Sequence, residues 1–241
     1  MPGAIPRVLA GAPPADVVVA RVTALRRRIE DAGRDPAGVR IIAVTKGFTS
    51  SAVEAARQAG LFDIGENYAD ELLTKVTDLE QSRVEQSSPV GGPPTRWHYL
   101  GAVQRRRVRQ LAPVVSCWQT LSRAVEGTSI ASHAPGATVL VEVDTTGVPG
   151  RNGCAPSEVP ALVASLRGEG LDVWGLMTVA PPGPAEASRP AFRLVAHLAR
   201  DLGLSEVSMG MTDDLDVALS EGSTMVRVGR ALFGERPPRP G

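Results

Sequence analysis

Lysine is almost absent from this chain. Of 26 basic residues only Lys46 and Lys75 are lysines, and the others are arginines. Chemistry that needs a side-chain amine, above all condensation with an aldehyde, therefore has two candidate positions. Cysteine is equally scarce. Cys117 and Cys154 are too few and too isolated for a disulfide framework or a zinc site, so buried, reduced thiols are expected. Net charge is missing too, with 26 acidic residues against 26 basic ones. No global field would recruit nucleic acid or an acidic membrane. No apolar window approaches the length of a membrane span. The first residues hold only short apolar pieces broken by Pro2, Pro6, Pro13 and Pro14, unlike a signal peptide. A soluble, cytoplasmic protein is the expectation.

What the chain does have is alternation. Its 241 residues, 43% of them hydrophobic, can bury a full core. An amphipathic helix is expected over Ala15–Gly33, where Val18, Val22, Leu25 and Ile29 recur at helical spacing. Strands then read at Ile41–Lys46, Leu61–Gly65, Trp97–Leu100, Val114–Thr120, Thr138–Asp144, Leu171–Met177, Glu206–Ser208 and Thr224–Val228. Helical stretches follow them, among them Ser50–Gly60, Tyr68–Ser82, Gln104–Leu111, Pro156–Gly168 and Asp213–Glu221, with a short last one from Arg230. A Ser/Gly/Pro-rich loop is expected over Gln86–Pro94. Eight strand–helix units are the count for a single closed (β/α)₈ TIM barrel with an extra N-terminal helix. A doubly wound open sheet has the same alternation. No break in composition divides the chain, so residues 1–241 read as one domain with extended ends at about 1–12 and 236–241.

Both folds place active residues at the C-terminal ends of strands. Lys46, Glu66-Asn67, His98, Asn152, Met177, Ser208–Thr212 and Arg227-Val228-Gly229 all fall there. Lys46 ends an uncharged, β-branched strand, which would hold its amine at the mouth of the sheet; a solvated lysine past the strand is the plainer alternative. Small residues in Ser208-Met209-Gly210-Met211-Thr212-Asp213-Asp214 let N–H groups converge on an anion, or simply make a capped turn with Thr212 or Asp213 as N-cap. Gly229 offers a second close backbone approach, and barrels commonly hold phosphate between the loops after strands seven and eight. Asn67 could bond a ring substituent or cap its helix, and Glu66 could pair with a basic neighbour. His98 reads as a satisfied interior histidine more readily than as a catalytic one. Three of Arg105, Arg106, Arg107 and Arg109 read as a solvated basic face. A strand-end lysine, a phosphate cradle and a strand-end arginine together suit pyridoxal 5′-phosphate (PLP).

The motifs Ala43-Val44-Thr45-Lys46, Phe62-Asp63-Ile64-Gly65-Glu66-Asn67-Tyr68, Trp97-His98-Tyr99-Leu100-Gly101, Gly175-Leu176-Met177, Ser208–Asp214 and Gly222–Gly229 make the chain resemble the pyridoxal phosphate homeostasis protein family, also called the YggS or PROSC family. The resemblance runs from about Ile41 to Gly234. It implies the fold-type III barrel, similar to the N-terminal domain of alanine racemase, with PLP as a covalent aldimine on Lys46. It implies cofactor contacts at Lys46, Asn67, Met177, Ser208, Met209, Gly210, Arg227, Gly229 and Arg230, with Arg227 meeting the pyridine nitrogen. It also implies a role in storing, buffering or delivering PLP rather than in turnover. The implied partners are PLP and, as its recipients, PLP-dependent apo-enzymes, with no metal, nucleic acid or membrane, and a monomer is expected.

Three departures stand out. Arg106 replaces the family's usual asparagine, Arg151 stands where lysine is commoner, and Arg230 stands where threonine or serine usually offers a hydroxyl to phosphate. The Arg230 guanidinium would either contact phosphate directly or swing to solvent. The competing reading is a fold-type III amino-acid racemase or decarboxylase. Those relatives carry a further C-terminal β-domain, which is not expected here, and a tyrosine from it. A remoter alternative is a sugar-phosphate barrel in which Lys46 forms a Schiff base.

Overall fold

Eight parallel strands close into a barrel in chain order, the eighth pairing back onto the first. The computed structural model describes residues 9–85 and 93–235. The loop expected at Gln86–Pro94 therefore lies mostly outside the described residues, as do both extreme ends. A helix, α1 (Ala15–Asp31), precedes the barrel and buries Val18, Val22, Leu25 and Ile29. The first half then runs β1 (Arg40–Val44), α2 (Ser51–Gln58), β2 (Asp63–Glu66), α3 (Ala69–Glu85), β3 (Arg96–Tyr99), α4 (Arg105–Leu111), β4 (Val115–Leu121) and α5 (Ala124–Ala131). The second half runs β5 (Thr138–Glu142), α6 (Val159–Gly168), β6 (Asp172–Met177), α7 (Arg189–Asp201), β7 (Glu206–Ser208), α8 (Leu215–Ser220), β8 (Met225–Val228) and α9 (Arg230–Phe233). The closed barrel decides against the open sheet.

The period-2 alternation of each strand splits its side chains between two environments. Outward residues such as Ile41, Ala43, Ile64, Trp97, Trp118, Val139, Val141, Val226 and Val228 join the helices in one continuous apolar shell. Inside, a small separate apolar cluster forms among the described residues, from Ile42, Cys117, Leu140, Met177 and Met225. The remaining interior is polar: Asp63, His98, Gln119, Ser208 and Arg227 are all buried. Barrel interiors are ordinarily filled by branched apolar side chains, so a polar interior needs a purpose or complete hydrogen bonding. Both cysteines are buried and free, as expected, and burial pushes the Cys154 thiol up to about 11.

Several boundaries differ from the sequence expectation. β1 ends at Val44, so Lys46 stands two residues beyond it. The ladder stops because Phe48 donates its N–H back to the Thr45 carbonyl at 3.0 Å, closing a tight turn in which Gly47 has φ 82°, a left-handed value that favours glycine. The eighth unit's predecessor is also shorter than expected. α8 starts at Leu215, because the Asp214 carboxylate accepts the Met211 N–H at 2.6 Å and holds residues 211–214 as a turn. Gly210 makes the bend with φ 92°.

Candidate functional site

The C-terminal ends of the strands surround a cavity of about 430 Å³, a size suited to a small cofactor. Six of the nine expected cofactor contacts line it: Lys46, Asn67, Met177, Arg227, Gly229 and Arg230. The other three do not. Ser208, Met209 and Gly210 are buried behind the wall, and the loop after β7 presents Met211, Thr212 and Asp213 instead. The Met209 N–H bonds the Met225 carbonyl and the Met211 N–H bonds Asp214, which removes two donors from the expected anion cradle. Those of Thr212, Asp213, Gly229 and Arg230 form no hydrogen bond to another described residue. Two loops thus bring four backbone donors to one side of the cavity, and Ala231 ties them together by donating its N–H to the Thr212 hydroxyl at 3.3 Å. A Cβ on Gly229 would stand 3.1 Å from the Val44 carbonyl oxygen, so glycine keeps this approach open. Arg230 is exposed and pairs with Asp213 and, at 3.6 Å, Glu235.

Arg227 ends a hydrogen-bonded chain that crosses the barrel interior. Its guanidinium donates to the Ser208 carbonyl at 2.7 Å, the Ser208 hydroxyl at 2.8 Å and the Thr178 carbonyl at 2.8 Å. Because arginine only donates, the Ser208 hydrogen is directed onward to Gln119 Oε1, 2.7 Å away. The Gln119 amide nitrogen then faces His98 Nδ1 at 2.8 Å. His98 Nδ1 must accept, which leaves the hydrogen on Nε2 to be donated to Asp63 at 2.9 Å. Burial pushes the His98 imidazole down, against the pull of Asp63, consistent with this neutral tautomer. Burial alone would raise Asp63, but bonds from His98 and Arg96 hold its carboxyl well below the usual range. His98 is thus the satisfied interior histidine that its strand position suggested. Burial also brings Arg227 down to about 10, with Glu142 opposing.

Glu66 does find a basic neighbour, the buried Lys75. Lys75 is 1% exposed and directs its ammonium at Glu66, the Thr45 carbonyl at 2.8 Å and the Thr45 hydroxyl at 3.3 Å. Burial pushes the Glu66 carboxyl up and the Lys75 charge beside it opposes that shift. Of the two lysines, Lys46 lines the cavity and Lys75 does not. Asn67 donates from Nδ2 to the Leu100 carbonyl at 3.2 Å, while its Oδ1 is buried with no partner among the described residues. An unpartnered oxygen cannot be capping a helix, so Asn67 keeps an unused acceptor at the cavity's edge. Arg105, Arg106 and Arg109 are exposed, as a solvated face requires, and Arg107 pairs with Asp70.

Sequence reasoning missed Glu142. It lines the cavity at the end of β5, takes a bond from Asn152, and is raised to about 7 by burial, with Asn152 and then Arg227 opposing. Its strand-end position is a usable signal, since Thr138–Asp144 reads as a strand. Asn152, expected near the site, reaches it through this carboxylate. Both tyrosines lie outside the described cavity lining. Tyr99 packs against Trp118 with ring centroids 5.6 Å apart.

The residues present fit PLP: an amine at Lys46, backbone donors for a phosphate, a buried arginine, and an orphaned acceptor on Asn67. Comparison with known proteins agrees in family. The alanine racemase N-terminal domain model matches residues 20–237. The chain is 35% identical over 227 residues to the pyridoxal phosphate homeostasis protein of Pseudomonas aeruginosa, covering 90% of this chain and 94% of that one. It is 34% identical to the protein of the same name from Deinococcus radiodurans, covering 90% and 99%. Among solved structures it resembles PipY of Synechococcus elongatus with PLP bound, at a TM-score of 0.75 and 26% identity over 90% of this chain and 100% of PipY. With that barrel, that cavity and those relatives, this chain belongs to the pyridoxal phosphate homeostasis protein family.

Proposed function

We propose that this protein binds PLP covalently through Lys46 Nζ and serves PLP homeostasis by storing, buffering or delivering the cofactor. The observation that carries the reading is the convergence of Lys46, Arg227, Asn67 and the 212–213 and 229–230 backbone donors on one cavity, while Lys75 is buried in an ion-pair cluster. PLP supplies an aldehyde for the amine and an electron-withdrawing ring. The protein's residues would divide the recognition. Gly229, Arg230, Thr212 and Asp213 hold the phosphate, Arg227 serves the ring nitrogen, Asn67 a ring oxygen, and Met177 the ring face. Ser208 acts indirectly, by holding Arg227, and Met209 and Gly210 shape the wall behind the cradle. A fixed arginine disfavours protonation of the ring nitrogen and so weakens the ring as an electron sink, which suits a carrier that acts in the cytoplasm as a monomer.

The test is a visible spectrum of the purified protein titrated with PLP, beside Lys46→Ala. A PLP-dependent band that persists in Lys46→Ala would sink the reading.

A racemase-like activity is the second reading, and Glu142 is what favours it. Racemisation needs an acid–base group on each face of the substrate carbon, and a cavity carboxyl near pKa 7 could partner Lys46 where no tyrosine lines the cavity. Incubation with L-amino acids in deuterated water separates the two. Exchange at Cα at about 1 s⁻¹ or faster, the ordinary enzymatic range, would favour the enzyme, and none is expected.

A further inference from the structure

The turn that carries Lys46 is gripped on both sides by α3. Before Lys46, Thr45 accepts from Lys75 Nζ at its carbonyl oxygen, 2.8 Å, and at its hydroxyl, 3.3 Å. After Lys46, Gly47 donates its N–H to Glu71 Oε2 at 2.8 Å. Lys75 and Glu71 are one helical turn apart and 3.8 Å from each other, and Lys75 is anchored in turn by Glu66. Glu66 is itself fixed by the Asn67 N–H at 2.8 Å. These three charges lie between barrel wall and helix, none more than 7% exposed. A buried ionic cluster contributes little net stability, because desolvation offsets the attraction. Its distinctive product here is geometric: it fixes the peptide groups flanking one side chain.

We propose that Lys75 is a positioning residue for Lys46. With Glu66 and Glu71 it locks the 45–47 turn so that the Lys46 amine is presented to the cavity, and it touches neither cofactor nor cavity itself. This rests on the reading of Lys46 as the point of attachment. It also gives the chain's second lysine a role that suits a lysine. A long cation that reaches from α3 to the Thr45 carbonyl needs three donors at one point, and an ammonium supplies them where a planar guanidinium does not.

The test uses the 241-residue chain with Lys75→Met and, to avoid leaving Glu66 as a lone buried charge, the double variant Lys75→Met/Glu66→Gln. Two quantities are compared: the rate of covalent PLP attachment, followed by absorbance, and the calorimetric affinity for pyridoxine 5′-phosphate, which keeps ring and phosphate but has an alcohol in place of the aldehyde. A misplaced reacting group can cost up to about 10²-fold, so attachment should slow by about tenfold or more while pyridoxine 5′-phosphate affinity stays unchanged. Attachment at the wild-type rate in the double variant, or equal loss in both measurements, would overturn the proposal. Lys46→Ala is run in parallel. If it still attaches PLP, the site reading has failed, whatever the Lys75 variants do.

Discussion

Replacing Glu142 by Gln should make the PLP-free protein more stable, and only above a definite pH. The native carboxyl is raised from an ordinary 4.5 to about 7 by burial. Between those values the folded protein keeps a proton that the unfolded chain releases. The wild-type protein therefore loses stability as pH rises through this window, and the loss levels off once pH passes about 7. At 1.36 kcal/mol per pKa unit, a gap of about 2.5 gives a ceiling of about 3 kcal/mol. Water in the adjoining cavity lowers this, and about 1.5 to 3 kcal/mol is the expected range. Gln is nearly isosteric, and its Oε1 can still accept the bond from Asn152, so the substitution removes the titration and little else. Urea unfolding of both proteins from pH 4.5 to 8.5 gives the comparison. Stabilities should be similar at the acid end and diverge toward pH 8, with Glu142→Gln the more stable. Parallel profiles across the range would refute the reasoning, since they would mean Glu142 titrates alike in folded and unfolded chains.

Gln119→Leu breaks the interior chain and leaves His98 Nδ1 and the Ser208 hydroxyl without their partner. Thermal unfolding should show a loss of about 2 to 6 kcal/mol, from two buried polar groups at about 1 to 3 kcal/mol each. An unchanged Tm would count against the chain as drawn. Gly229→Val pushes a branched side chain toward Val44, whose carbonyl oxygen is 3.1 Å from the first added carbon. It should weaken PLP binding more than pyridoxal binding, as measured by equilibrium titration of both, and equal weakening would deny the phosphate a place beside residue 229.

Much of the fold is legible from the sequence because alternation and turn residues are local. The β-branched run at 41–44 needs nothing distant to read as a strand, nor does the 3.6-residue apolar period of α1. The extent of β1 was not legible to the residue, because the turn at Thr45–Phe48 depends on the left-handed Gly47 and on a grip from α3, 24 residues or more away. The candidate site shows the same division. Strand-end positions for Lys46, Asn67, Met177 and Arg227 follow from pattern. The exclusion of Ser208–Gly210 from the cavity depends on which N–H groups the β8 ladder and Asp214 take up, which is a tertiary fact. Glu142 is not legible for a related reason: a glutamate at a strand end is ordinary until burial and Arg227 surround it. Lys75 carries no sign of its role in the sequence beyond being one of two lysines.

The most direct test of the central claim is borohydride reduction of the PLP-loaded protein followed by peptide mapping. Two lysines in 241 residues make the outcome unambiguous. The account predicts a single reduced phosphopyridoxyl adduct, on Lys46. An adduct on Lys75, or no adduct on either lysine in a protein that still binds PLP, would contradict it.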